Sequence, residues 1–364
     1  SHTHMAKLPL IKEKRIFKMN KNILIFIIIL LLTITAPHLI PSRVVYFTTL
    51  SIFIVLAMTW DVQGGQMGYN SFGNIVFFGL GMYVCISTQV GLFFDVFEWN
   101  ESGGEKTFLH TPNQYFIGLV AGLILAGLIP PIIAYLIGGG ILGLRGHYFA
   151  IGTLGLGVAA AELAGGIDTI GGTVGMTVPV FPKEVGNIHT DKLIFYYLSV
   201  ALVFGAFFFL RWLYTTRFGL ALNAIRDDED KAESMGMPTK KYKTLGWCIS
   251  AFFLGIAGGI SGNVVGYVDP HDIAFAGATL GVWMVLMAIL GGKGTLWGPI
   301  IGAIVFYLLK DFLWVKFLGW QRVTLGFLIV IIVIFFPTGI MGYLRTKFPQ
   351  MFGEVVDEGE QNKT

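Results

Sequence analysis

Charge is scarce in this 364-residue sequence: Asp, Glu, Lys and Arg together make up 13% of it, about half of what a soluble globular chain carries. A chain of this length folding in water would need a polar shell over a large core, and there are too few charges to build one. Cysteine is nearly absent. The two present, Cys85 and Cys248, lie inside apolar runs and have no zinc-ligand spacing around them. That excludes a disulfide framework and a metal ribbon, and both read as small buried apolar residues. A nucleotide site is missing too. Gly291-Gly-Lys-Gly-Thr295 resembles a phosphate-binding loop at first sight, but that motif needs Lys followed directly by Ser or Thr, and Gly294 intervenes. No hydrophilic stretch is large enough for an ATPase domain. No cofactor, no metal, no catalytic residues and no nucleic-acid partner are therefore expected of this chain.

What is abundant is apolar: 54% hydrophobic residues and 31 Phe, with a mean hydropathy of +0.71. The 48 Gly lie mostly within the apolar runs. Between helices in lipid, association depends on close backbone approach at small residues, which glycine permits. The expected fold is all-α, a polytopic transmembrane helix bundle.

A span needs about 20 mostly apolar residues to cross the hydrocarbon layer. On that measure the sequence predicts helices at Asn22–Ile40, Val44–Trp60, Phe72–Phe94, Phe116–Ile137 and His147–Gly166. A second set follows at Lys192–Leu213, Leu245–Val265, Phe275–Leu290, Thr295–Leu309 and Val323–Ile340. The ninth is short and interrupted by Gly298, Pro299 and Gly302, as in spans held deep within a protein. The first, preceded by Lys14, Arg15, Lys18 and Lys21, has no small-residue cleavage site after it and reads as an uncleaved helix closed by Pro37 and Pro41.

With ten crossings and a cytoplasmic N-terminus, 18 of the 25 Lys and Arg fall on the inner side. Lys7, Arg145, Lys293 and Lys363 are among them, whereas Arg43, Lys106, Lys310 and Lys316 count as outer. The positive-inside rule then places both termini in the cytoplasm. Residues 1–21 form a basic cytoplasmic segment, of which 1–4 read as an appended remnant ahead of Met5. Residues 22–342 are expected to form the transmembrane domain with a cytoplasmic loop at 214–244, and 343–364 a cytoplasmic tail. Two outer loops are long: an acidic one around Asp95, Glu98, Glu101 and Glu105, and the Gly- and Thr-rich stretch Ile167–Asp191. They read either as solvated connectors or as a docking surface for an extracytoplasmic partner.

The longest inner loop, Arg217–Lys243, predicts a helix of its own. Asp227 or Asp228 can cap its start, and acids in the first turn suit the positive end of the helix dipole. Gly236 stops it and Pro238 forbids continuation. Such a helix, of about two turns, is too short to stand alone, and Ala232 and Met235 are expected to share one face of it. A helix lying on the membrane surface would carry basic residues on its polar face; this one is acidic, which fits a groove on a partner protein.

Here the residues resemble a known family. Arg226-Asp-Asp-Glu-Asp-Lys-Ala-Glu-Ser-Met-Gly236 resembles the coupling loop of LivM-type permeases, subunits of ATP-binding-cassette importers for branched-chain amino acids. Lys231-Ala-Glu-Ser-Met-Gly236 is a variant of the acid-Ala-Ala-three-residues-Gly pattern of bacterial import permeases. Leu144-Arg-Gly-His-Tyr-Phe-Ala-Ile151, Gly171-Gly-Thr-Val-Gly175, the stretch from Gly291 to Ala303 and Phe336-Pro-Thr-Gly-Ile-Met-Gly342 resemble further motifs of that family, in order from Val44 to Gly342. Trp60-Asp-Val-Gln-Gly-Gly-Gln66 departs from it, because the Asp61 charge stands in a run that is usually Leu- and Asn-rich.

The resemblance implies a pore shared with a homologous second permease, two cytoplasmic ATPases and an extracytoplasmic binding protein, all in the cytoplasmic membrane. It assigns ATPase coupling to Arg226, Asp227, Asp228, Glu229, Asp230, Ala232, Glu233, Met235 and Gly236. Candidates for the translocation path are Glu162, Gly291, Gly292, Gly294, Gly298 and Pro299. Glu162 is the one carboxylate expected within the fifth span, where an ionisable group is a functional candidate. His271-Asp272 lacks a third member for a triad or metal set. Two rivals stay open: a urea or amide permease with the same patterns, and an ion-coupled secondary transporter using Glu162.

Overall fold

The computed structural model describes residues 9–104, 107–186 and 188–348. Lys7, Glu105, Lys106 and Lys363, and with them most of the C-terminal tail, lie outside the described residues. Apolar runs become helices in chain order: α1 (Pro9–Leu39), α2 (Val44–Asp61), α3 (Asn74–Gly91), α4 (Val96–Glu101), α5 (Pro112–Ile141), α6 (His147–Gly165), α7 (Ile188–Thr215), α8 (Arg217–Ser234), α9 (Thr239–Val265), α10 (Val282–Gly291), α11 (Trp297–Lys316), α12 (Gln321–Phe335) and α13 (Gly339–Lys347). Among the described residues, eight helical stretches are long and apolar enough to cross a membrane, and Leu24–Leu39 and Val323–Ile332 are shorter apolar helices. The chain is an all-α polytopic bundle.

At the centre is α9, which packs against α3 and α5, while α2 lies against α7 and α11. Glycine makes these approaches possible. A Cβ on Gly255 would overlap the Ala126 carbonyl of α5, and one on Gly258 would overlap the Phe78 carbonyl of α3. In lipid, where apolar burial drives nothing, such backbone proximity supplies the van der Waals contact that holds helices together. Polar glue is added where α2 ends in a π-helical turn, Val62–Gln66. The buried Gln63 donates to Gly246 O at 3.0 Å and Ser250 Oγ at 2.9 Å of α9, and accepts from Asn74 Nδ2 of α3 at 2.9 Å. Trp247 Nε1 donates to Asn74 Oδ1 at 3.0 Å, so the amides of both residues are engaged.

Three expectations are corrected. The ninth span is not short: α11 runs for 20 residues to Lys316, with Gly298 and Pro299 in its first turn, where a helix loses no hydrogen bond to proline. Lys310, counted with an outer loop, lies on that helix. Its ammonium sits 5.1 to 5.7 Å from the ring centroids of Phe53, Trp283, Tyr307 and Trp314, whose π-faces offset its desolvation. The loop 214–244 is mostly helical: α8 takes in Arg217–Ser234 and α9 starts at Thr239. A two-stranded antiparallel ribbon, Met176–Thr177 with Tyr267–Val268, accompanies the all-α bundle.

The connections between spans gather in two sets. The ribbon, α4, the turn at Asp269–Ala274 and the end of α6 meet at one end. The residues after α2, the turn before α6, α8, the glycine loop after α10 and α13 meet at the other. The second set forms the site.

Candidate functional site

The second half of α8 is built by its own sequence. Asp228 leaves helical geometry (φ −162, ψ 100), dividing α8 into two segments. Its Oδ1 accepts from Lys231 N at 3.0 Å, which makes it the N-cap of the second segment. That bond and the Lys231 ammonium hold the Asp228 carboxyl below its ordinary range. At the other end Gly236 is left-handed (φ 85). Met237 N donates to Ala232 O at 3.1 Å and Gly236 N to Glu233 O at 2.9 Å, the paired bonds of a Schellman stop. Thr239 Oγ1 and Arg145 both donate to Glu233, lowering its carboxyl's pKa.

The face of this short helix differs from the expectation. Ala232 and Met235 do not share it: Ala232 is 6% exposed and Met235 is 88% exposed. Helix rotation is fixed by pairs distant in sequence. Arg145, in the turn before α6, reaches Glu233 Oε1 at 3.0 Å, Glu229 Oε2 at 3.8 Å and Asp230. Lys243, near the start of α9, meets Glu229 Oε1 at 2.7 Å, and the side chains are 3% and 10% exposed. Tyr69 Oη donates to Glu229 Oε2, and the Lys243 ammonium stands 4.6 Å over the Tyr69 ring. Burial first, and then the Glu229 carboxylate, push the Tyr69 phenol above its ordinary range. Glu229 thus anchors the inward side of the helix, and Met235 projects from the outward side.

The first segment of α8, absent from the sequence expectation, buries Ala221, Leu222 and Ile225. At its end Arg226 pairs with Asp227 at 3.2 Å and donates from Nη1 to Gly65 O at 3.4 Å. Through Gly65 the site continues to the glycine loop. Asp61 Oδ1 accepts from Gly294 N at 2.8 Å, and Gln66 Nε2 donates to Gly294 O at 3.0 Å. The sequence flagged Asp61 as a departure without a role; the structure gives it one, joining the end of α2 to the loop between α10 and α11. Nothing local signals a bond between residues 233 positions apart.

Gly291, Gly292, Gly294, Gly298 and Pro299 come together in that loop. Gly291, Gly292, Gly298 and Pro299 are buried, and a Cβ on Gly291 or Gly298 would run into the other's side of the α10–α11 hairpin. Thr295 Oγ1 donates to Gly292 O at 2.8 Å and accepts from Gly298 N at 3.0 Å, which closes the turn. Gly339, from the Phe336–Gly342 motif, packs against Gly292. Glu162 is not brought to this group. It lies at the opposite end of the bundle, its side chain 71% exposed and paired with His271 Nε2 at 3.2 Å. Cys85 is buried, Cys248 is half-buried and both are free. No group of three or more His, Cys, Asp or Glu side chains among the described residues could hold a metal ion.

The family described as "Branched-chain amino acid transport system / permease component" matches residues 43–336. The chain is 26% identical over 366 residues to "High-affinity branched-chain amino acid transport system permease protein LivM" of Escherichia coli (strain K12), covering 94% of this chain and 79% of that one. The protein of the same name from Salmonella typhimurium is 26% identical with the same coverage. "High-affinity branched-chain amino acid transport system permease protein LivH" of Escherichia coli (strain K12) is 25% identical over 158 residues, 43% of this chain and 49% of that one. No solved structure gives a significant match.

Proposed function

The chain belongs to the branched-chain amino acid transport system permease family, and from that membership we propose that it forms one half of a pore whose movement is driven by separate ATPases docked on the Asp228–Gly236 helix. It is a permease subunit of an importer for branched-chain amino acids. The observation that carries the docking reading is the helix itself. It is capped at both ends, presents Met235 outward and is fastened inward to α9, to the turn before α6 and to the segment after α2. Arg226, Asp227, Asp230, Ala232 and Glu233 shape or flank that surface. A push on it reaches three separate connections at once.

The partners in this reading are a homologous second permease, two cytoplasmic ATPases and an extracytoplasmic binding protein that supplies selectivity. The partial likeness to the LivH proteins supports a second, related permease. The setting is the cytoplasmic membrane, with ten spans formed by the eight long helices and the two shorter apolar ones. Both termini then lie inside, because most Lys and Arg fall there. A cysteine at Lys231 is expected to react only from the cytoplasm and one at Ser102 only from outside; reaction of both from one side overturns that topology. The buried glycines of the α10–α11 hairpin serve as a packed pivot beside the path.

The ion-coupled rival needs Glu162 as its site. Glu162→Gln is expected to leave uptake intact and dependent on ATP, whereas uptake abolished by this change and driven by an imposed proton or sodium gradient overturns the ATP-driven reading. Competition among leucine, isoleucine, valine and urea in the assembled importer separates the amino acid from the urea reading.

A further inference from the structure

We infer that the buried Glu229–Lys243 pair, braced by Tyr69, is the joint that converts displacement of the docking helix into movement of α9, so that Lys243 and Tyr69 are positioning residues for transport. This inference rests on the docking reading above.

The geometry singles out this pair. Among the ion pairs of the site, those of Arg145 and Arg226 involve side chains 46% and 37% exposed, whereas Lys243 and Glu229 are 3% and 10% exposed. Water screens the former and leaves them weak. A buried pair held by hydrogen bonds is different, because separating it strands a charge away from water. Glu229 directly follows the capping residue Asp228, at the start of the helix, so its carboxylate has little freedom relative to the helix axis. Both of its oxygens are engaged, Oε1 by Lys243 Nζ at 2.7 Å and Oε2 by Tyr69 Oη. Lys243 Nζ also lies 3.4 Å from Tyr69 Oη and over the ring. Tyr69 is in turn held edge to face by Phe149 of α6, with ring centroids 5.1 Å apart.

What the joint moves is equally specific. Lys243 lies near the start of α9, the helix packed against α2, α3, α5 and α7. At Gly255 and Gly258 α9 meets α5 and α3 backbone to backbone, so few side chains need repack there when α9 shifts. A shift of the docking helix that keeps the Glu229–Lys243 bond must therefore carry the end of α9 with it. The exposed Met235 side and the buried Glu229 side divide the work between contact and transmission.

The test uses the complete importer, with its ATPases and binding protein, in lipid nanodiscs for hydrolysis and in vesicles for uptake. Lys243→Met is expected to retain the ATPases and hydrolyse ATP, while substrate moved per ATP falls about ten-fold, within the range of measured coupling between linked sites. Lys243→Arg keeps the charge and the donor and is expected to restore most of the coupling. Lys243→Met combined with Glu229→Gln leaves no stranded charge; it is expected to accumulate better than Lys243→Met alone yet stay uncoupled. Transport per ATP equal to wild type in Lys243→Met overturns the inference. So does recovery of coupling in the double variant, or failure of both to assemble, since the pair would then only hold the fold. If Met235→Asp leaves the ATPases bound, the docking reading itself fails, whatever Lys243 does.

Discussion

Gly236→Val perturbs one backbone angle and nothing else. Gly236 has φ 85, and a Cβ built on it meets no atom within 4 Å. Its substitution therefore introduces no clash, and the cost is conformational. Holding a side-chain-bearing residue in the left-handed region costs about 1–2 kcal/mol, toward the upper end for a β-branched one. That corresponds to a loss of about 5- to 30-fold in the population of the intact helix stop. The bonds that go with it are Met237 N to Ala232 O and Gly236 N to Glu233 O. They fix the turn from which Met235 projects. The spans do not depend on that turn, so the variant is expected to reach the membrane in normal amount and to retain about a fifth of the ATPases or less. Co-purification of the ATPases, normalised to membrane abundance of the permease, measures this. Gly236→Asn is the control, because asparagine tolerates the left-handed region, and is expected to retain most of the binding. Gly236→Val binding the ATPases as wild type does refutes the reasoning. Asn and Val being equally impaired refutes it too, since side-chain volume would then matter and not the backbone.

Three other outcomes are expected. Met235→Asp, at an exposed position, is expected to abolish ATPase association without lowering the thermal stability of the permease; Ala232→Arg, buried against its own chain, is expected to lower stability itself, by detergent melting. Gly255→Val forces a side chain into the Ala126 carbonyl and is expected to cost about 1–3 kcal/mol of stability or more. Gly205→Val, with nothing within 4 Å, is expected to be neutral in the same assay. The carboxyls of Asp228 and Glu233 sit below their ordinary values of 3.8 and 4.5. The stabilisation they give is present above those values and is lost as pH falls through the lower, folded ones. Protection of the Lys231 amide, measured against its intrinsic exchange rate at each pH, is thus expected to persist from neutrality to about pH 5 and fall only in stronger acid; loss of protection already near pH 6 contradicts the cap.

The eight long apolar helices were legible because most of them are continuous apolar runs, and length separates such a run from a loop. Asp228, Gly236 and Pro238 were legible as punctuation because capping is local. Rotation of the helix between them was not, since it is set by Arg145, Lys243 and Tyr69, which reach it from three other segments. Alternation around a short helix cannot reveal which side a distant lysine will hold. Lys310 was misread for the same reason: a cation beside an apolar run looks like a loop residue unless the aromatic rings that shelter it are seen. The first segment of α8 was missed because Ala221, Leu222 and Ile225 give only one turn of apolar pattern. Asp61 stood out as unusual, but its bond to Gly294 needed the fold. The ribbon of two residues per strand is too short for any alternation to show.

The central claim, a branched-chain amino acid permease driven by ATPases bound at the Asp228–Gly236 helix, is tested most directly by uptake. Vesicles containing this chain, its second permease and the ATPases, supplied with the binding protein, should accumulate leucine only when ATP is present, and Met235→Asp should stop it. Leucine accumulation without the ATPases, driven by a proton or sodium gradient, would contradict the account.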